Sequence, residues 1–344
     1  MHDAHCALQR FAPLDSRDQV CMQTSAPGST MILGEHAVLA GHSALVGALA
    51  PRLDITWRVT PGSQVTINSE LAQYQGRWAQ LAETCLQNTP LHWVGHALVS
   101  MAQTHPKLQH YSIDLQIDSQ LDPTQGLGSS AALVANLVIG LHYLTGRSQA
   151  PDALFAQGLA WIHHQQGRGS GADLIASLLG GLVHFQPATS VLWQRLQAPL
   201  VFSLAYSGYK TPTAEVLQWV EDQWRHDPQM LHQLYQDMGA VTETACHALQ
   251  SHQLNAFLQS IETYQTLMVQ LGVHTPALAK AIDTLKQQHQ VAKISGSGLG
   301  DCALGVSLAS SVSRHGHNAT LPVWPLAETG VSLTHAPQTT TAFH

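Results

Sequence analysis

The sequence predicts an α+β fold in two lobes, on three observations. The first half mixes strand-like and helix-like segments, residues 213–288 are almost entirely helical in pattern, and short strands return from residue 291. A chain of 344 residues, 44% of them hydrophobic, can also bury a core of that size.

The elements follow in order. Residues 1–22 carry little periodicity and are read as an extension. Segments 52–59 and 64–68 read as strands separated by the turn residues Pro61, Gly62 and Ser63. Residues 75–103 are helix-rich, split at Pro90. Residues 111–117 alternate strictly, with Ile113, Leu115 and Ile117 on one face, as a half-buried strand does. Residues 130–144 have the composition of a buried helix stopped by Gly146. Strands are expected at 181–185 and 200–206. The helical region then breaks near Pro228, near His252 and at 272–276, and strands are expected at 291–295, 301–306 and 320–324.

Composition narrows the function. Fifteen basic residues against 22 acidic ones leave a net charge of −7, with no like-charge block and no basic stripe, so nucleic acid is not an expected partner. The 22 histidines make that charge sensitive to mild acid. Cys6, Cys21, Cys85, Cys246 and Cys302 are scattered, odd in number and free of any CxxC pair, which points away from a disulfide framework or zinc ribbon and towards a reducing compartment. The longest apolar run, 131–141, contains Asn136 and is shorter than the roughly 20 residues of a membrane span. Residues 1–18 lack the apolar centre of a signal peptide. A cytoplasmic protein without membrane contact is expected.

Three glycine-rich segments and one aspartate carry the chemistry. In Pro123-Thr-Gln-Gly-Leu-Gly-Ser-Ser-Ala-Ala132, glycines at 126 and 128 precede two serines and the long apolar helix. Backbone N–H groups of such a loop, opening a helix N-terminus, cradle an anion, and a serine hydroxyl can join a Mg²⁺ shell. Taken alone, the same loop is also an ordinary turn with a serine cap. No lysine follows the glycines, so it is not a Walker loop, and no Rossmann fingerprint is present. Ser25-Ala-Pro-Gly-Ser-Thr-Met-Ile-Leu-Gly-Glu-His-Ala-Val-Leu-Ala-Gly41 reads as strand, turn and a Gly-Glu-His step. Lys293-Ile-Ser-Gly-Ser-Gly-Leu-Gly-Asp-Cys302 reads as strand, glycine turn and strand, its glycines permitting close approach of a ligand. The fourth element is Gly167-Arg-Gly-Ser-Gly-Ala-Asp173.

In this order and spacing the segments resemble the three motifs of the GHMP kinases, over residues 25–306. The resemblance implies a two-lobed fold with the active site between the lobes: a ribosomal protein S5-like N-terminal lobe over 23–190, binding ATP, and a ferredoxin-like C-terminal lobe over 191–344. It implies ATP and Mg²⁺ as cofactors. Gly126, Gly128, Ser129, Ser130 and Ala131 would bind nucleotide, with Ser130 the metal ligand and Asp173 the catalytic base. A carboxylate within hydrogen-bond reach of an alcohol can take its proton as phosphoryl transfer develops. Glu35, His36, Ser170, Gly296, Ser297, Gly298, Lys210 and Thr213 are the candidates for the substrate side. For His36 a structural hydrogen bond and a substrate contact both stay open. The expected partner is a small molecule, and a homodimer is the assembly the resemblance implies.

Within the family the Gly34-Glu35-His36 step resembles the branch that phosphorylates mevalonate, whereas Gly169-Ser-Gly-Ala-Asp173 and Gly300-Asp-Cys302 look more like the branch acting on 5-phosphomevalonate. Mevalonate is the expected acceptor. 5-Phosphomevalonate is the alternative, as is a nucleotide-binding relative with little catalysis. Three features depart from the family: Ser29 stands where a lysine is usual, Ala160-Trp-Ile-His-His-Gln-Gln166 lacks the usual magnesium-binding glutamate, and Thr124 stands where a glycine is common. Lys210 or Arg168 is expected to supply the missing positive charge. His163, His164, His315 and His317 lack Cys or carboxylate neighbours at ligand spacing and are read as surface or packing residues.

Overall fold

The computed structural model describes residues 19–122, 125–187, 192–311 and 321–335. The first sheet opens with β1 (Val20–Leu33), β2 (Ala44–Pro61), β3 (Gln64–Asn68) and β4 (Gln73–Arg77). Helices α1 (Trp78–Thr84) and α2 (His92–Thr104) follow, then β5 (Tyr111–Ser119), whose Tyr111, Ile113, Leu115 and Ile117 are buried as the alternation predicts. Helices α3 (Ser129–Thr145), α4 (Pro151–Gln166) and α5 (Ala172–Leu179) lead to β6 (Leu182–Gln186) and β7 (Leu192–Leu196). The second sheet holds β8 (Leu200–Tyr206), β9 (Val291–Ser295), β10 (Cys302–Leu308) and β11 (Trp324–Pro325), with α6 (Thr213–Gln223), α7 (Pro228–Gln250), α8 (Leu254–Leu271) and α9 (Pro276–Lys286) between β8 and β9. Finally β12 (Ser332–His335) returns to pair with β1.

The first sheet runs β12-β1-β2-β5-β3-β4, with β6 on β2 and β7 on β6; its one parallel pair is β3 with β5. The second runs β11-β8-β10-β9, antiparallel throughout. β2 serves two neighbours in succession: its first half pairs β6 and its second half pairs β5. The expected boundary at 190/191 falls between β6 and β7, which pair with each other, and β1 begins inside the expected 1–22 extension.

Helix α3 is the core of the first lobe. It starts after Gly128 and stops at Gly146, each at φ +68. At its centre Gly140 lets Trp57 of β2 lie against the helix, where a Cβ would come within 2.4 Å of the indole. Asn136, buried in the same helix, donates from its amide nitrogen to the Leu53 and Ala132 carbonyls, both at 2.9 Å, and so pins helix to sheet, while its Oδ1 has no hydrogen-bond partner among the described residues.

Several sequence expectations are corrected. Residues 75–77 belong to β4, not to a helix, because Gln75 and Arg77 pair with Thr66 and Gln64. The strand expected at 52–59 begins at Ala44: residues 44–49 are buried on both faces, so they show no alternation. The turn expected within the first glycine segment is only a register shift between Pro27 and Gly28 inside continuous β1. The strand expected at 320–324 is reduced to Trp324–Pro325, and residue 320 lies outside the described residues, as do His315 and His317. Among the described residues no helix is long and apolar enough to cross a membrane.

Part of the histidine excess is packed inside. His289 is buried, bonded to the hydroxyls of Ser203 at 2.8 Å and Ser307 at 3.1 Å, and burial pushes its pKa down to about 4. His96 stacks on His164 with ring centroids 4.1 Å apart; burial, then the neighbouring imidazole, push it also to about 4. Both folded values lie below the unfolded value of about 6.5, so the unfolded chain binds more protons, and this stabilisation is complete above about pH 6.5 and lost as pH falls towards about 4. We expect Tm to drop by at least about 5 °C between pH 7 and pH 4.5, and less steeply in a His96→Gln, His289→Gln double variant. Equal slopes in the two proteins would contradict this assignment.

Candidate active site

The first and second glycine segments meet backbone to backbone. Ser29 N–H donates to the Leu127 carbonyl at 3.0 Å. A Cβ on Gly28 would sit 2.5 Å from that carbonyl oxygen, and one on Gly128 would sit 2.1 Å from Ser29 Oγ. Neither position admits a side chain without moving the other segment. Gly126 and Gly128 both take positive φ, +64 and +68, which turns the loop into the N-terminus of α3. There Ser129 is half-buried, Ser130 is exposed and Ala131 is buried. The unbonded N–H groups of a helix start and the positive end of its dipole are chemistry that can hold an anion.

Asp173 is brought to the same place by α5. Gly171, at φ +77, caps that helix and sets Asp173 in its first turn. Ser29 Oγ donates to Asp173 Oδ1 at 3.0 Å across 144 residues of sequence. Burial pushes the Asp173 carboxyl above its usual range, and the Ser29 hydrogen bond pulls the other way. Ser170 Oγ accepts from the Ala172 N–H at 3.2 Å, so its hydroxyl braces the turn that presents Asp173.

Behind Ser29, the chain leaves β1 through Gly34 (φ +114), where a Cβ would lie 2.5 Å from Ala44 Cα. This turn sends Glu35 inward to an ion pair with Lys293 of β9, a side chain with no solvent exposure. The Lys293 ammonium also donates to the Ile294 carbonyl and lies 5.7 Å from the ring centroid of Tyr264, whose hydroxyl donates to the Glu35 carbonyl at 2.8 Å. Burial pushes the Glu35 carboxyl up, with Lys293 opposing and the charge of Asp173 adding; burial likewise pushes the Lys293 ammonium down against the pull of Glu35. His36, at φ +60, donates from Nε2 to the Ser297 carbonyl at 2.8 Å, joining the first and third glycine segments. Thr30 and Ser295 meet hydroxyl to hydroxyl at 3.3 Å. Glu35 Oε2 and His36 Nδ1 are buried without a hydrogen-bond partner among the described residues.

The remaining candidates lie further out. Gly296 and Gly298 take φ of +79 and +83; Gly298 packs on Val273, where a Cβ would come within 2.6 Å, while Gly296 faces open space. Lys210 pairs with Asp301 at 3.6 Å, and Thr211 Oγ1 donates to the Leu299 carbonyl at 2.6 Å, so this segment straps the third glycine turn. Thr213 is exposed at the start of α6, and no described hydrogen bond of its side chain ties it to the cluster. Lys210 and Arg168, the residues expected to bring positive charge to Asp173, have no described ion pair or hydrogen bond to it: Arg168 pairs with Glu221 at 3.1 Å and Lys210 with Asp301. His163 Nε2 donates to the Gly169 carbonyl at 2.8 Å and His164 stacks on His96, so both are exposed residues engaged in local contacts. Two surface cavities, of about 480 Å³ beside His252 and about 320 Å³ beside His184 and Glu243, are lined by none of these site residues.

Sequence reasoning assigned no role to Lys293, Ser29 or Tyr264. The signal for Lys293 was present: a lone ammonium in the strand Val-Ala-Lys-Ile-Ser, every residue of which is buried, requires a buried partner. Tyr264 left no comparable trace in its helix.

A glycine turn opening α3, a half-buried carboxylate tied to it through Ser29 and a second sheet joined to both by the Glu35–Lys293 and His36–Ser297 contacts fit a small-molecule kinase, and the chain carries both GHMP kinase domains. The family's N terminal domain matches residues 94–181 and its C terminal domain matches residues 245–315. The mevalonate kinase of Archaeoglobus fulgidus is 25% identical over 287 residues, covering 83% of this chain and 92% of that one. The Lin0012 protein of Listeria innocua superposes with a TM-score of 0.76 at 18% identity, over 92% of this chain and 100% of that one. The Methanococcus jannaschii mevalonate kinase structure superposes with a TM-score of 0.72 at 16% identity, over 92% of this chain and 99% of that one. The two family-model matches together with the mevalonate kinase relatives indicate an ATP-dependent kinase.

Proposed function

We propose that this protein transfers the γ-phosphoryl group of ATP to mevalonate, with Asp173 as the base. The observation that carries the reading is the convergence of Asp173, Ser29 and Gly128 at one point: the carboxylate lies against the turn that would hold the phosphates. The choice of mevalonate rests on the relatives named mevalonate kinase and on the Gly34-Glu35-His36 step of the sequence.

In this reading the N–H groups of residues 126–131 hold the nucleotide phosphates, and positioning supplies most of the rate. Ser130, exposed at the start of α3, would offer magnesium one hydroxyl oxygen, and the nucleotide phosphates would supply further oxygen ligands in place of the absent glutamate. Bound there, Mg²⁺ would neutralise phosphate charge. Asp173 takes the acceptor hydroxyl proton at its free oxygen. Glu35 Oε2 and His36 Nδ1, buried acceptors without a partner among the described residues, are assigned to substrate hydroxyls, and Ser170, Gly296, Ser297, Gly298, Lys210 and Thr213 are the further substrate-side candidates. A homodimer in the cytoplasm completes the proposal; the four described cysteines, all free, support a reducing compartment.

The test is coupled ADP release with mevalonate, 5-phosphomevalonate and galactose. Mevalonate is expected to give the highest kcat/KM by at least about tenfold, a preference of about 1.4 kcal/mol in transition-state binding. Preference for 5-phosphomevalonate, or tight ATP binding with no turnover of any of the three, would overturn the assignment.

A further inference from the structure

We propose that Ser29 is the positioning residue for Asp173, a neutral hydroxyl that fixes one carboxylate oxygen, leaves the other for the acceptor, and ties the carboxylate to the phosphate turn. The proposal rests on the kinase reading above and concerns how its base is held.

Three observations determine where the Ser29 hydroxyl can be. The side chain has no solvent exposure. Its backbone is held on both sides, by the Ser29–Ala48 register of β1 on β2 and by the 3.0 Å bond from its N–H to Leu127. Gly128 closes the remaining side, with room for a hydrogen and none for a methyl group. From that fixed point the hydroxyl donates to Asp173 Oδ1 at 3.0 Å, and among the described residues this is the only hydrogen bond the carboxylate receives.

The ionisable side chains on neighbouring elements are otherwise engaged. Glu35 is bound to Lys293, His163 of α4 donates to Gly169, and His184 of β6 meets Glu243 at 3.2 Å. A hydroxyl has one proton to give, so its bond to Oδ1 selects a rotamer of Asp173 without cancelling its charge. A shift of Gly128 on binding phosphate would move Ser29 and hence the carboxylate, which makes the serine the mechanical link between nucleotide and base.

The experiment uses the full-length chain with Ser29→Ala and Ser29→Thr. The first arm contains no acceptor: the Asp173 carboxylate is titrated by ¹³C NMR, assigned against Asp173→Asn. Loss of the hydroxyl is expected to raise the midpoint by about one pH unit, and threonine to restore it. The second arm is turnover. Ser29→Ala should lower kcat at least about tenfold with the KM for ATP within about twofold, and its acid limb should move up with the NMR midpoint. Threonine should recover most of kcat, and a Tm near wild type shows that each variant is folded. An unmoved midpoint in folded Ser29→Ala overturns the proposal. So does wild-type kcat with an unshifted acid limb. If wild type fails to phosphorylate mevalonate while the midpoint still moves, the substrate assignment fails and the Ser29–Asp173 coupling stands.

Discussion

Asp173→Asn should lower kcat by about 10³-fold while leaving the Kd for ATP within about twofold, the magnitude expected for loss of a positioned general base. Asparagine is nearly isosteric, and its side-chain oxygen can still accept the Ser29 hydrogen bond seen at 3.0 Å, so the phosphate turn should stay in place. What disappears is the capacity to take the acceptor proton. Because burial holds the wild-type carboxyl above its usual range, the residual protonated fraction matters at higher pH than for an exposed aspartate. The acid limb of kcat should therefore lie above the usual carboxylate value in wild type. Calorimetric ATP binding alongside steady-state turnover checks both parts, and a variant retaining more than about a tenth of wild-type kcat would remove Asp173 from the role.

The second large effect concerns folding. Lys293→Met should destabilise by about 3–5 kcal/mol, because it leaves Glu35 buried without its cation. Glu35→Gln combined with Lys293→Met should recover much of that loss, since no buried charge remains unpaired. The pair lies where the turn after β1 meets β9, and Tyr264 of α8 holds the Glu35 carbonyl at 2.8 Å, so three segments far apart in sequence share one buried ion pair. Denaturant unfolding of the single and double variants measures the coupling. Additive losses would show that the two side chains are independent.

How much of this was legible in the sequence depended on distance along the chain. β5 was readable because one face is buried and the other is not, and α3 because its glycine boundaries are local signals. The phosphate turn was readable for the same reason: Gly126, Gly128 and the serines lie within a few residues of one another. Asp173 was readable through its own glycine-rich approach. The contacts that make these parts a site were not. Ser29 meets Asp173 across 144 residues and Lys293 meets Glu35 across 258, and no local pattern specifies such pairings. The departure at position 29 was visible, but its consequence was misread as a need for another cation at Asp173, when the structure supplies a hydroxyl there. The strand β4 was missed because Gln and Arg are weak strand formers and the pairing with β3 overrides that preference.

The most direct test of the account is ³¹P NMR of the full-length protein with ATP, Mg²⁺ and mevalonate. The account predicts a new phosphomonoester resonance that grows in step with ADP and is absent with Asp173→Asn. ADP appearing with orthophosphate alone, or no ADP from a protein that binds ATP, would contradict it.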